Sequence, residues 1–128
     1  MNFKKIITGL ALLMLTSSGT ANADWGDVYY CQMTNFDEIT LEGEKKNYKL
    51  QKFQFKLDQK TKSMVFGSSS YFENAVSKLR EGSFWPNQEY WYANTKFSST
   101  VFQKGKFLEG SVGVKTGLVS ISADCDKF

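Results

Sequence analysis

The chain has only two cysteines, Cys31 in the stretch VYYCQM and Cys125 close to the C-terminal end. If they bond, nearly the whole chain becomes one closed loop, and the first and last structural elements must lie side by side. Compartment decides whether they bond, because disulfides persist where the surroundings are oxidising. Residues 1–23 read as an export signal. Lys4 and Lys5 give it a positive end, and Ile6 to Leu15 form an apolar run shorter than the roughly 20 residues needed to span a bilayer. Ala21-Asn22-Ala23 presents small residues at the positions a signal peptidase accepts, so cleavage is expected after Ala23, with no membrane span left afterwards. No cysteine follows that point directly, which argues against a lipoprotein. A periplasmic or extracellular location is therefore expected, and with it a Cys31–Cys125 disulfide. Closing a loop of this length is worth roughly 4–5 kcal/mol in the chain-entropy picture.

Residues 24–128 are enough for one domain with one core and too few for two. The formal charge of +3 includes Lys4 and Lys5, so the mature chain is close to neutral and has no electrostatic basis for holding nucleic acid.

Period-two alternation dominates this mature chain. In Leu118 to Cys125, the residues Val119, Ile121, Ala123 and Cys125 share one face; in VYYCQM, Tyr29, Cys31 and Met33 do. Both cysteines thus point to an apolar side. In Asn47 to Leu57 the alternation slips near Gln51 and Lys52, which a β-bulge there would reconcile. Ser98 to Val112 reads as a hairpin turning at Lys104-Gly105, with Phe102 facing Phe107 and Val101 facing Leu108. Ser70 and Glu73 have capping-box spacing ahead of Phe72, Ala75, Val76 and Leu79, so residues 71–81 read as either a short helix or an extended connection. Pro86, the only proline, marks the loop before Gln88. The expected fold is all-β, an antiparallel meander of about seven to eight strands. It forms a barrel or a sandwich, the barrel being favoured because closure hides edge strands.

With no histidine in the chain, Ser-His and Cys-His nucleophile pairs, His-liganded zinc and the usual general base are excluded. No Gly-rich phosphate cradle is present. Asp37 and Glu38 are adjacent and point to opposite faces of a strand. Asp124 and Asp126 share a face that the disulfide brings towards Asp24 and Asp27, but without the EF-hand loop spacing of a calcium site. Neither a catalytic residue nor a metal or cofactor is expected. Aromatic residues make up 16% of the chain, and Phe84, Trp85, Tyr90, Trp91 and Tyr92 crowd one stretch. Rings on a rigid sheet stack well on sugars and dominate protein interfaces, so Trp85, Tyr90, Trp91 and Tyr92 are the ligand-binding candidates.

VYYCQM, FGSSSYF, FQKGKF and the terminal ISADCDKF together resemble a family of small secreted proteins of marine bacteria, and that resemblance implies secretion and a small β domain without implying an activity. More loosely, Tyr29-Tyr30-Cys31, Cys125 and the GSSSY loop, Gly67 to Tyr71, are similar to the periplasmic inhibitors of C-type lysozyme, with Phe66 where those proteins carry a serine. The expected function is a non-catalytic binding module for a glycan or an envelope protein. The alternatives are a carrier of a small apolar ligand among Phe53, Phe55 and Phe66, and a lysozyme-inhibitor-like protein.

Overall fold

The computed structural model describes residues 23–80 and 90–128. The expected leader up to Asn22 lies outside them, as do Phe84, Trp85 and Pro86. Among the described residues there are nine antiparallel strands and no helix: β1 (Val28–Ile39), β2 (Lys45–Asn47), β3 (Lys52–Asp58), β4 (Ser63–Phe66), β5 (Val76–Lys78), β6 (Tyr90–Asn94), β7 (Ser98–Gln103), β8 (Lys106–Gly113) and β9 (Gly117–Lys127). The sheet runs β5-β4-β3-β1-β9-β8-β7-β6, with the short β2 also on β1. A bridge between Leu79 and Ala93 joins its ends, and Arg80 N–H donates to the Tyr92 carbonyl at 2.9 Å, so the sheet is a nearly closed barrel.

The first and last long strands pair in the middle of this sheet. Cys31 and Cys125 are directly opposed across that pairing, bonded, with Cα atoms 4.0 Å apart and 94 positions between them in the chain. No free cysteine remains.

Inward side chains follow the expected phases along β9, where Ile121, Ala123 and Cys125 are buried, and along the first half of β1, where Tyr29, Cys31 and Met33 are. Halfway along β1 the phase changes. Met33 pairs with Ala123 and Asn35 with Ser122, which leaves Thr34 as an extra residue; beyond it Phe36 and Glu38 face inward instead. The slip expected at Gln51 and Lys52 is therefore not a bulge in that strand. The bulge is in β1, and the chain opposite leaves the ladder: residues 48–51 connect β2 to β3, tied at either end by Tyr48 N–H to Phe36 O (2.8 Å) and Met33 N–H to Gln51 O (2.9 Å). A bulge bends its strand and disrupts pairing locally, and here the neighbour on each side adjusts to it.

The helical option for residues 71–81 is not taken up over its described part, residues 71–80. Ser70 and Asn74 adopt positive φ (81° and 55°), which breaks a helical path, and Glu73 N–H and Ala75 N–H bond back only three residues, to Ser70 O and Phe72 O. The competing force is burial of Phe72, whose ring lies 4.8 Å from both Phe53 and Phe66. Val76 then continues as β5. The expected hairpin is present with Phe102 opposite Phe107 and Val101 opposite Leu108. Lys104 and Gly105 both have positive φ (49° and 78°), the type I′ geometry that suits strand twist.

The core is largely aromatic. Tyr29, Phe53, Phe55, Phe66, Phe72, Phe102 and Phe107 meet ring to ring, with centroids 4.6 Å apart at Tyr29 and Phe102 and 6.1 Å at Phe53 and Phe66. Offset and edge-on contacts of this kind add about 0.5–1.5 kcal/mol each beyond burial. One end is closed by Trp25, which meets Trp91 edge-on at 5.0 Å. Replacing both cysteines by serine is expected to lower the unfolding free energy by about 3–5 kcal/mol, read from denaturant midpoints with and without reductant.

Candidate functional site

Strands β6, β7 and β8 place the predicted aromatic residues on two faces. Trp91, Phe102 and Phe107 form one cross-strand row and point into the barrel, Trp91 being 5% exposed. Tyr92, Val101 and Leu108 form the adjacent row and point outward, Tyr92 half-buried and Leu108 exposed. The structure therefore separates Trp91 from Tyr92: Trp91 belongs to the core, and Tyr92 to an outer surface. The Tyr90 backbone pairs with Gln103 at the start of the same hairpin, and Trp85 lies outside the described residues.

Polar groups flank the Tyr92 row. Asn94 is opposite Ser99 in the ladder, and the Arg80 guanidinium donates to Asn94 Oδ1 at 3.1 Å. With the Arg80 backbone bonded to Tyr92, this outer face combines an aromatic ring, two aliphatic side chains and hydrogen-bonding groups on strands held by ladder bonds. A second outer row is wholly apolar: Ile39, Leu118 and Val112 are directly opposed and exposed.

Two of the aspartates considered for calcium, Asp124 and Asp27, are engaged with lysines. Asp124 accepts from Lys106 Nζ at 2.6 Å, Asp27 lies 3.3 Å from Lys127 Nζ, and Asp27 also accepts from the Asp24 backbone at 2.9 Å. Among the described residues no group of three or more acidic or cysteine side chains is placed to hold a metal ion.

Two carboxyls lie inside the barrel: Glu38, half of the adjacent Asp37–Glu38 pair weighed from the sequence, and Glu109, which was not singled out there. Glu38 is buried and accepts a hydrogen bond from the Tyr48 hydroxyl, and that bond, with burial and the Glu38 charge, raises the Tyr48 pKa. Glu109 points inward between Thr100 and Ile121, and its Oε1 is buried without a hydrogen-bond partner. The signal for it was the alternation Phe107, Glu109, Ser111, which puts a carboxyl on the inward phase of β8.

Burial lifts the Glu109 pKa from the ordinary 4.5 to about 7, with no cation on the two opposed residues to offset it. A carboxyl whose folded pKa is raised holds a proton in the folded chain that the unfolded chain has released. Stability therefore falls as pH rises from about 4.5 to about 7 and then levels off. Glu109→Gln is expected to remove that slope and to stabilise the protein at pH 8 by about 2 kcal/mol, the full shift being reduced by solvent at this partly exposed side chain; denaturant titrations across pH would read it.

Comparison of the chain with family models, with curated proteins and with solved structures found no match.

Proposed function

We propose that the chain is an exported, non-catalytic binding module that recognises a glycan on the outer face of β6, β7 and β8, around Tyr92. The observation that carries this reading is the outward row of Tyr92, Val101 and Leu108 beside Asn94, Ser99 and Arg80. A phenol ring offers a flat apolar face to the C–H side of a sugar, and the neighbouring amide, hydroxyl and guanidinium groups suit its hydroxyls. Export is supported by the disulfide, which fits the oxidising surroundings of a periplasmic or extracellular protein, together with the leader-like composition of residues 1–23. Among the described residues no helix is long and apolar enough to cross a membrane.

The non-catalytic part rests on the chemistry in the chain. It has no histidine, and both cysteines are bonded. Recognition on the outside is favoured over carriage of an apolar cargo because Phe53, Phe55 and Phe66 pack on one another and on Phe107.

A second reading, docking of an envelope protein, is favoured by the Ile39, Leu118 and Val112 row, since exposed apolar residues in contiguous rows mark interaction surfaces.

Binding to an array of bacterial cell-wall and surface oligosaccharides tests the first reading. Tyr92→Ala is expected to weaken binding at least about tenfold while the thermal unfolding midpoint stays close to that of the parent protein. Unchanged binding by a folded Tyr92→Ala protein overturns it. Trp91→Ala is not a probe of recognition, because emptying that core position is expected to cost about 3–5 kcal/mol of stability.

A further inference from the structure

The outer surface over the disulfide-linked strands holds a depression of about 340 Å³, within the roughly 300–1,000 Å³ usual for small-ligand sites. It lies on β1, β3 and β9, away from the Tyr92 hairpin, and its floor consists of outward residues adjacent in the ladder. Asp124, Gln32 and Lys52 form one row; Asp126, Tyr30 and Gln54 form the next.

Tyr30 and Gln54 are held in place by their neighbours. Tyr30 is 45% exposed, and its ring meets that of Phe128 at 5.2 Å and 71°, with Phe128 anchored by its N–H to the Val28 carbonyl at 2.8 Å. Gln54 lines the wall beside the loop after β4, where Gly67 N–H donates to the Gln54 carbonyl at 3.0 Å. A Cβ on Gly67 would lie 2.9 Å from Gln54 Cγ, so the glycine leaves the amide side chain its position. Beneath them, the Cys31–Cys125 bond ties together β1 and β9, which carry most of the floor.

The chemistry of the depression defines its ligand. Lys106 sits on Asp124 at 2.6 Å, which leaves one carboxylate, Asp126, and one ammonium group, Lys52, among the lining side chains, a balance that favours neither sign of ligand charge. Carboxylate oxygens accept, lysine donates, and glutamine amides do both, next to one exposed phenol ring. We propose that this depression is a saccharide site for a neutral pyranose, with the C–H face of the sugar on Tyr30 and its hydroxyls shared among Asp126, Gln54 and Lys52. The site does not depend on recognition at Tyr92, and the two are distinguished by separate variants.

The test is ligand-observed NMR and calorimetry on the purified protein with glucose, galactose, N-acetylglucosamine and their β-1,4-linked disaccharides, with glycine and diglycine as zwitterionic controls. At least one sugar is expected to bind at millimolar concentration or below. Asp126→Asn and Tyr30→Ala are each expected to weaken it about tenfold or more, and Tyr92→Ala to leave it unchanged. Gln54→Ala is a second probe should Tyr30→Ala fail to fold. Binding by none of these sugars, preference for the zwitterions, or sugar binding that survives Asp126→Asn and Gln54→Ala overturns the proposal. Loss of sugar binding in Tyr92→Ala alone also overturns it and supports the hairpin site instead.

Discussion

The pairing of β1 with β9 is the constraint on which the rest of the barrel depends. These strands come from opposite ends of the domain, yet they occupy the centre of the sheet, and each arm of the barrel grows outward from one of them: β3, β4 and β5 from β1, and β8, β7 and β6 from β9. Within each arm neighbours in space are neighbours in sequence, and local pairing forms at small entropic cost. The central pairing has no such advantage, since closing a long loop must precede any contact energy. The one disulfide sits in that pairing, across partners 94 positions apart, where a covalent link removes a large loop entropy from the unfolded chain. At the opposite side, where β5 meets β6, a bridge at Leu79 and Ala93 and the bond from Arg80 to Tyr92 join the arms. The covalent and the lightly bonded seams of the barrel thus face each other across the core.

The bulge at Thr34 adapts that central pairing to what flanks it. Without it, the odd-numbered residues of β1 would remain inward past Met33, and Phe36 would face solvent. With it, the Phe36 ring turns inward and meets Tyr48 and Tyr71 at 5.1 and 5.2 Å, filling one end of the barrel. The same phase change carries Glu38 inside, where the Tyr48 hydroxyl satisfies it. Glu109 has no such donor among the described residues at its buried oxygen and stays protonated to a higher pH instead, which is the lower-energy answer for a carboxyl buried on one side without a partner.

What could be read from the residues was whatever local alternation determines. The phases of β9 and of early β1, the inward cysteines and the register of the Lys104-Gly105 hairpin follow from period two and turn chemistry, the cysteine bond was expected from the export signal and the even cysteine count, and the structure has each of them. What could not be read was set by residues distant in the chain. The slip at Gln51 was visible, but its cause was an extra residue in β1, since a phase change in one strand looks the same whether that strand or its partner carries the bulge. The helical spacing at Phe72, Ala75 and Val76 lost to the burial of Phe72 against Phe53 and Phe66, a tertiary effect that local propensity does not contain. Alternation did separate Trp91 from Tyr92, but it could not say which of the two faced the core.

That separation bears on where recognition takes place in a barrel of this size. Eight strands enclose a space that side chains can fill, and here phenylalanines from both arms pack into it, so the inward aromatic residues are committed to stability. Any ligand-facing chemistry must then come from the other phase of the same strands, where a substitution alters no core contact. Tyr30 and Tyr92 are both in that phase, one beside Cys31 and one beside Trp91, so each outward ring is positioned by an inward neighbour that cannot move. A small β domain with a full interior has little freedom to bind by deformation. On the proposed reading it would bind by holding a surface still, and the strand pairs beneath these two tyrosines are fixed by a disulfide in one case and by a tight hairpin in the other.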